Sequence, residues 1–301
     1  MIIERNEHTC SDVVVVHSPS RAEGARKALK KVGLPEMTGK GVLIKPNFNT
    51  SDPAPGSTHN DTLRTVLEVI KEEGPRVITV GDRSGPEDTR GVFEEKGIFH
   101  LSDELGFDCL IFDDMEYSRY QLIKDPRFHW KSGFLFAKPV LEADVVISLC
   151  CLKTHQFGGH FTMSLKNTTG MVHRDNMREL HHSPHQREMI AEMNAAYKPD
   201  LILIDGVEAF YDGGPMTGSR WKANITLASK DRIAIDAVGV AALKMHGTTR
   251  AIESKKVFEQ DQIRRAVELG LRASGPEDID IITVGDESQM PTQELETMLR
   301  T

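Results

Sequence analysis

Short aliphatic and β-branched runs alternate along the chain with longer amphipathic segments, and this alternation predicts the fold. Residues 13–16 (VVVV) open it as a strand, and a helical pattern over 21–31 follows, stopped by Gly33 with Pro35 beyond. Residues 41–47 read as a second strand. A loop over 49–56, rich in Pro, Ser and Asp, leads to a helix capped by Asn60 or Asp61 that runs through Glu73, where Gly74-Pro75 breaks it. Residues 76–82 and 108–113 are further strands, with short helices over 88–96 and 100–105. The stretch 115–138 has neither period and reads as an irregular or antiparallel insertion.

Residues 144–151 form another apolar strand, and 200–206 (DLILIDG) are apolar almost without a break, as in a strand covered on both faces. A helix is expected over 187–197, ended by Pro199, and others over 231–246 and 259–271. Strands over 224–229 and 280–285 complete the pattern. Strands separated by helices of ten or more residues predict an α/β fold: a largely parallel twisted sheet with helices on both faces and the insertion attached. The whole of 1–301 is expected to be one such domain, divisible into lobes of about 1–140 and 141–301 with the site between them.

Several of the apolar strands end in polar residues: Lys45 and Asn47, Asp82, Lys153 and His155, Asp205, and Asp286. Ligands of open parallel sheets bind at the carboxyl ends of the strands, which makes these positions the candidate site. The stretch 148–171 is the richest. Its strand empties into Lys153, His155 and the pair Gly158-Gly159, and then a helical pattern is expected from His160 onward. On that helix Phe161, Leu165 and Val172 fall on one side and His160, Met163, Lys166, Asn167 and Gly170 on the other. The glycine pair would free amides at its start, suiting an anion.

Composition narrows the chemistry. With 39% hydrophobic and 27% charged residues, the 301-residue chain is that of a globular protein. The net charge of −8 argues against a general nucleic-acid binder, while leaving room for a local basic pocket. No apolar run reaches the roughly 20 residues of a membrane span, and the polar residues 4–8 lack a signal-peptide core. A cytoplasmic location is therefore expected. The cysteines (Cys10, Cys109, Cys150, Cys151) form no C-x-x-C pair, so no iron–sulfur or zinc-ribbon motif is present. Cys109 and Cys150 are expected to be buried and inert.

Among candidate groups, His155 and His160 are suited to acid/base work near neutral pH or to metal ligation. Asp82 and Asp205, each beside or near glycine after an apolar strand, suit a divalent cation or a sugar-like hydroxyl, or equally a turn cap. Asp231 reads as a helix N-cap. The loop with Gly213, Gly214, Pro215 and Gly218 reads as a ligand-covering flap or a long surface turn, and His173, His181, His182 and His185 as a solvated lid or connector.

Taken together, Lys45-Pro-Asn47, Gly81-Asp-x-Ser-Gly85, Lys153-Thr-His155, Thr162-x-x-x-Lys-Asn-x-x-Gly170, Asp205-Gly-Val, Gly214-Pro-x-x-Gly218 and Asp231-x-x-Ala-x-Asp236 resemble the family called domain of unknown function 362. The resemblance covers most of the chain, from the second strand to the helix after Asp231. Many members of that family also carry ferredoxin-like cluster domains, whose cysteine spacing this chain lacks. The family name implies no reaction. A second likeness, of Asn60-Asp-Thr-x-Arg64 to the nickel-pincer lactate racemases, is five positions long and adds no weight.

The expectation is an enzyme acting on a small anion, a carboxylate or phosphate, with Lys45, Asn47, Ser84, Lys166, Asn167, Gly214 and Gly218 binding it. Lys153, His155 and His160 would carry the chemistry, and Asp82 and Asp205 would orient substrate or a divalent metal. The alternative is a module that carries a metal or redox cofactor without catalysis of its own. No cofactor is specified by the residues, and both a homo-oligomer and an external redox partner are compatible with them.

Overall fold

The structure, a computed structural model, describes residues 10–286 and 290–301; the polar residues 4–8 lie outside them. Among the described residues the strands are β1 (Ser11–His17), β2 (Gly41–Lys45), β3 (Val77–Asp82), β4 (Asp108–Ile111), β5 (Tyr120–Ile123), β6 (Phe134–Ala137), β7 (Val145–His155), β8 (His160–Thr162), β9 (Leu201–Gly213), β10 (Gly218–Trp221), β11 (Ile225–Ser229) and β12 (Ile279–Val284).

The main sheet runs β12-β1-β11-β9-β7-β2-β3-β4. Pairings β9-β7, β7-β2, β2-β3, β3-β4 and β1-β12 are parallel, whereas β11 is antiparallel to both its neighbours. The antiparallel turn-back of β11 after the β9-β10 hairpin is the one departure from a parallel order in the main path. β5 and β6 form a separate antiparallel pair, where the sequence pattern predicted an insertion. One continuous sheet thus joins strands from before and after residue 140.

Period-two alternation explains the layers. In β9, Leu201 and Leu203 pack with the helices Arg21–Val32, Asn60–Glu72 and Thr89–Glu95 on one face. Ile202 and Ile204 pack with the helix Arg232–His246 on the other. That helix is buried from Arg232 through Leu243, and its alanines let it lie close on the sheet. Asp231 caps it as expected, accepting from the amides of Ile233 and Ala234. The helix after the 49–56 loop, Asn60–Glu72, is capped by His59 rather than Asn60 or Asp61.

The stretch after β7 folds differently from its helical periodicity. Residues 160–162 pair as β8 with residues 153–155 of β7, so no helix begins at His160. A single turn, Ser164–Asn167, follows, and then a 3₁₀ turn, Thr168–Met171. The cause is a distant residue: the buried carboxylate of Asp236 accepts from the amides of Ser164 (2.7 Å) and Leu165 (2.9 Å) and starts the helix there. Among the described residues, no helix is long and apolar enough to cross a membrane.

Candidate functional site

β2, β3 and β7 are parallel neighbours, and their carboxyl ends bring Lys45, Asp82, Lys153 and His155 to one side of the sheet. β7 runs seven residues beyond its pairing with the end of β2, so Lys153 and His155, paired there with β8, extend past the end of β2. The turn after β8 and the histidine-rich connector close the other side. They enclose a cavity of ≈ 580 Å³, lined among others by Asn47, Lys166, Asn167, Gly170, His181 and Met216.

Lys45 is fully enclosed. Its ammonium lies 2.6 Å from Asp82 and also donates to the carbonyl of Pro46 and to Asn167 Oδ1. Asp82 in turn accepts from the amides of Phe48 (2.8 Å) and Arg83 (2.6 Å). Burial pushes the Asp82 carboxyl up and the Lys45 ammonium down, and their mutual attraction opposes both shifts. The hydrogen bonds on each partner satisfy the pair, so it stands as an internal ion pair.

Asn167 is a second buried node. Its amide donates to Ser148 Oγ and the carbonyls of Lys45 and Leu149, while its oxygen accepts from Lys45 and Asn47.

The remaining cations differ in how they are held. Lys153 donates to the carbonyls of Gly56 and Pro215, and burial lowers its ammonium to about 8. Arg83 spends its guanidinium on the carbonyls of Val172, Ser84 and Thr169. Lys166 is half-buried, and burial, then Lys153 and Arg83, bring it down to about 7. His155 is held well below its ordinary value by burial first and then by Lys166, Lys153 and His181. It is neutral at pH 7, with Nδ1 facing the Gly159 amide at 3.4 Å. Read from that contact, the proton sits on Nε2.

Asp82 is the single carboxylate lining the cavity among the described residues, and Lys45 takes it up. Arg174 is paired with Asp113. Among the described residues, Arg83, Lys153 and Lys166 form no ion pair with a carboxylate; Asp113 and Asp82 act on Arg83, and Asp52 on Lys153, without closing one. Four buried polar atoms of lining residues also lack a partner among the described residues: Asn47 Oδ1, Asn49 Nδ2, Thr162 Oγ1 and Thr169 Oγ1. Such groups are costly unless a ligand or water meets them.

Seven of the sequence-derived candidates line the cavity: Lys45, Asn47, Asp82, Lys153, His155, Lys166 and Asn167. Five do not. His160 opens β8 away from the cavity; its electrostatic neighbours are Arg187, Asp261 and Lys255. Ser84 donates through its hydroxyl to the carbonyl of Phe48 and through its amide to Thr89 Oγ1, a wholly internal role. Asp205 accepts from Arg21 (2.9 Å) and Thr62 (2.7 Å), on the side of the sheet covered by their two helices. It is three strands from Asp82 in the sheet, roughly 14 Å at ordinary strand spacing. The two carboxylates are therefore not brought together, and no group of three or more His, Cys, Asp or Glu side chains suited to a metal ion occurs among the described residues.

Gly214 and Gly218 shape the β9-β10 loop rather than line the cavity, to which the loop contributes Pro215 and Met216. Gly214 has φ +71°, and a Cβ there would lie 2.1 Å from the carbonyl oxygen of Thr154. Its glycine is what allows the loop to seat against β7 and offer Pro215 O to Lys153. The glycine pair at 158–159 starts no helix; the Gly159 amide turns to His155 instead.

Sequence reading missed Arg83, Arg174, Thr169 and Met177, and took His181 for part of a solvated connector. Arg83 had a visible signal, a cation inside a strand-end motif. His181 had none, because its approach depends on how the connector folds back over the sheet.

The chain is similar to a thylakoid-associated protein of Synechocystis sp., with 30% identity over 220 residues, or 70% of this chain and 65% of that protein. The match thus spans just under two thirds of the relative's length. A solved structure, the lactate racemase apoprotein of Thermoanaerobacterium thermosaccharolyticum, aligns over 100% of this chain and 89% of that one, with TM-score 0.47 and 13% identity. The model of the family Domain of unknown function (DUF362) matches residues 42–241, a span that holds every residue lining the cavity. The chain belongs to the DUF362 family.

Proposed function

We propose that this protein binds a small anion, a carboxylate or phosphate, in the cavity at the ends of β2, β3 and β7, and acts on it by proton transfer. One observation carries the reading: Arg83, Lys153 and Lys166 face a space whose one lining carboxylate among the described residues, Asp82, is already neutralised by Lys45. Three cations gathered without an ion-paired carboxylate are costly in a half-enclosed site, and an anionic ligand lowers that cost. Lys153 has two of its three N–H donors fixed by carbonyls, which aims the third. Neutral His155, protonated on Nε2, is the group suited to give or take a proton. The unpartnered oxygens of Asn47, Thr162 and Thr169 favour an anion that also carries hydroxyl groups.

The alternative, carriage of a metal or redox cofactor, has less support in the donor set. Asp82 already holds Lys45 and two amides, and the nearby lysines would repel a cation.

Calorimetric titration with sulfate and with malonate tests the reading. Wild-type protein is expected to bind at least one of them, and Lys153→Ala to bind it about tenfold or more weakly, the worth of one charge-assisted contact. Equal affinity in the two proteins would refute the assignment.

A further inference from the structure

We propose that Lys166 is a nucleophilic amine that forms an imine with the carbonyl carbon of an anionic aldehyde or ketone held in the cavity. The proposal rests on the anion-binding reading above. Its basis is a contrast between lysines in one space. Lys45 has a carboxylate and two oxygen acceptors, and Lys153 has two carbonyls. Among the described residues, Lys166 Nζ has no hydrogen-bond acceptor and no carboxylate, yet it lines the cavity.

An ammonium wants three acceptors, so the free lysine is the one whose neutral form is favoured, and the fixed cations Lys153 and Arg83 add to that preference. A partly desolvated lysine beside a second cation is a recognised way to make an amine nucleophilic at neutral pH.

The acid/base partner is in place. A Cβ on residue 159 would lie 2.9 Å from Lys166 Cε and 3.0 Å from His155 Nδ1, so the lysine stem and the imidazole share the room that Gly159 leaves. Thr162 Oγ1 and Thr169 Oγ1, both without partners among the described residues, are available to the carbonyl oxygen.

The step balances without oxidant or reductant. The amine lone pair forms the C–N bond while the carbonyl π pair moves to oxygen. Proton transfer from nitrogen to oxygen, through His155, gives the carbinolamine. Loss of water then breaks the C–O bond and leaves C=N.

The test uses glyoxylate, the smallest anionic aldehyde of this class, with cyanoborohydride at pH 7, followed by peptide mass mapping of reduced adducts. Lys166 is expected to be labelled on the order of a hundredfold faster than the average surface lysine. The adduct should be absent from Lys166→Arg; if that variant fails to fold, the wild-type map decides alone. Labelling of Lys166 no faster than surface lysines overturns the proposal. Sulfate binding on the same protein separates the two readings. Sulfate bound with Lys166 unlabelled leaves the anion pocket standing and removes the covalent step; neither effect removes both. Fast labelling without anion binding keeps the amine and overturns the anionic class of its substrate.

Discussion

Lys45 Nζ lies 2.6 Å from Asp82 Oδ1 where both side chains are almost completely shielded from solvent. Each charge makes the other tolerable. Asp82→Ala leaves an unpaired buried ammonium and is expected to lower stability by about 3–5 kcal/mol, read as a shift in the urea midpoint. The double variant Lys45→Met/Asp82→Leu should recover much of the loss. A single variant as stable as wild type would mean the pair contributes nothing.

Anion affinity should depend on pH in one direction. Sulfate keeps its charge across the range, so the protein's own groups set the profile. Lys166 at about 7 and Lys153 at about 8 are protonated below those values and neutral above them. His155 stays uncharged throughout, and His181 is held below its ordinary value by burial and by Lys166. Sulfate binding is expected to weaken by at least about tenfold between pH 6.5 and 9.5, measured by calorimetry. An affinity that rises with pH would contradict the cationic pocket.

Asp236 couples stability to pH. Burial raises its carboxyl to about 7 in the folded protein from an ordinary 3.8, against the pull of its two amide bonds. A group with a raised folded value stabilises fully below its unfolded value, and that contribution is lost as pH rises through the folded one. Wild-type protein should therefore lose stability relative to Asp236→Asn between pH 5 and pH 8. Urea midpoints at the two pH values check the sign. Asp236→Ala, which uncaps Ser164 and Leu165, is expected to cost about 1–3 kcal/mol and to weaken anion binding by displacing Lys166.

Gly214→Ala forces a Cβ against Thr154 O at a positive φ. The expected cost is about 1–3 kcal/mol, with weaker sulfate binding because Pro215 O would leave Lys153. A variant with wild-type stability and affinity would show that the loop does not depend on this seat.

How much was legible beforehand follows from what each residue's position depends on. The alternation of residues 201–204 is local, and burial on both faces of β9 follows from it directly. Lys153 and His155, two apart on a strand, needed no more than local geometry to face the same space, whereas Lys166 and Asn167 reach it on the turn that Asp236 starts. What failed was whatever a distant partner settles. His160 went into β8 because β7 continued far enough to pair with it, and Asp236, some seventy residues on, chose where the helix starts. Asp82 and Asp205 have the same sequence surroundings, a carboxylate near glycine after an apolar strand, yet one lines the cavity against Lys45 and the other is consumed by Arg21 and Thr62. Sequence by itself determined the parallel α/β sheet and the strand-end residues, because periodicity reports burial. Only the tertiary structure decided which charges are cancelled, since an ion pair is a property of two side chains that the chain order does not place together.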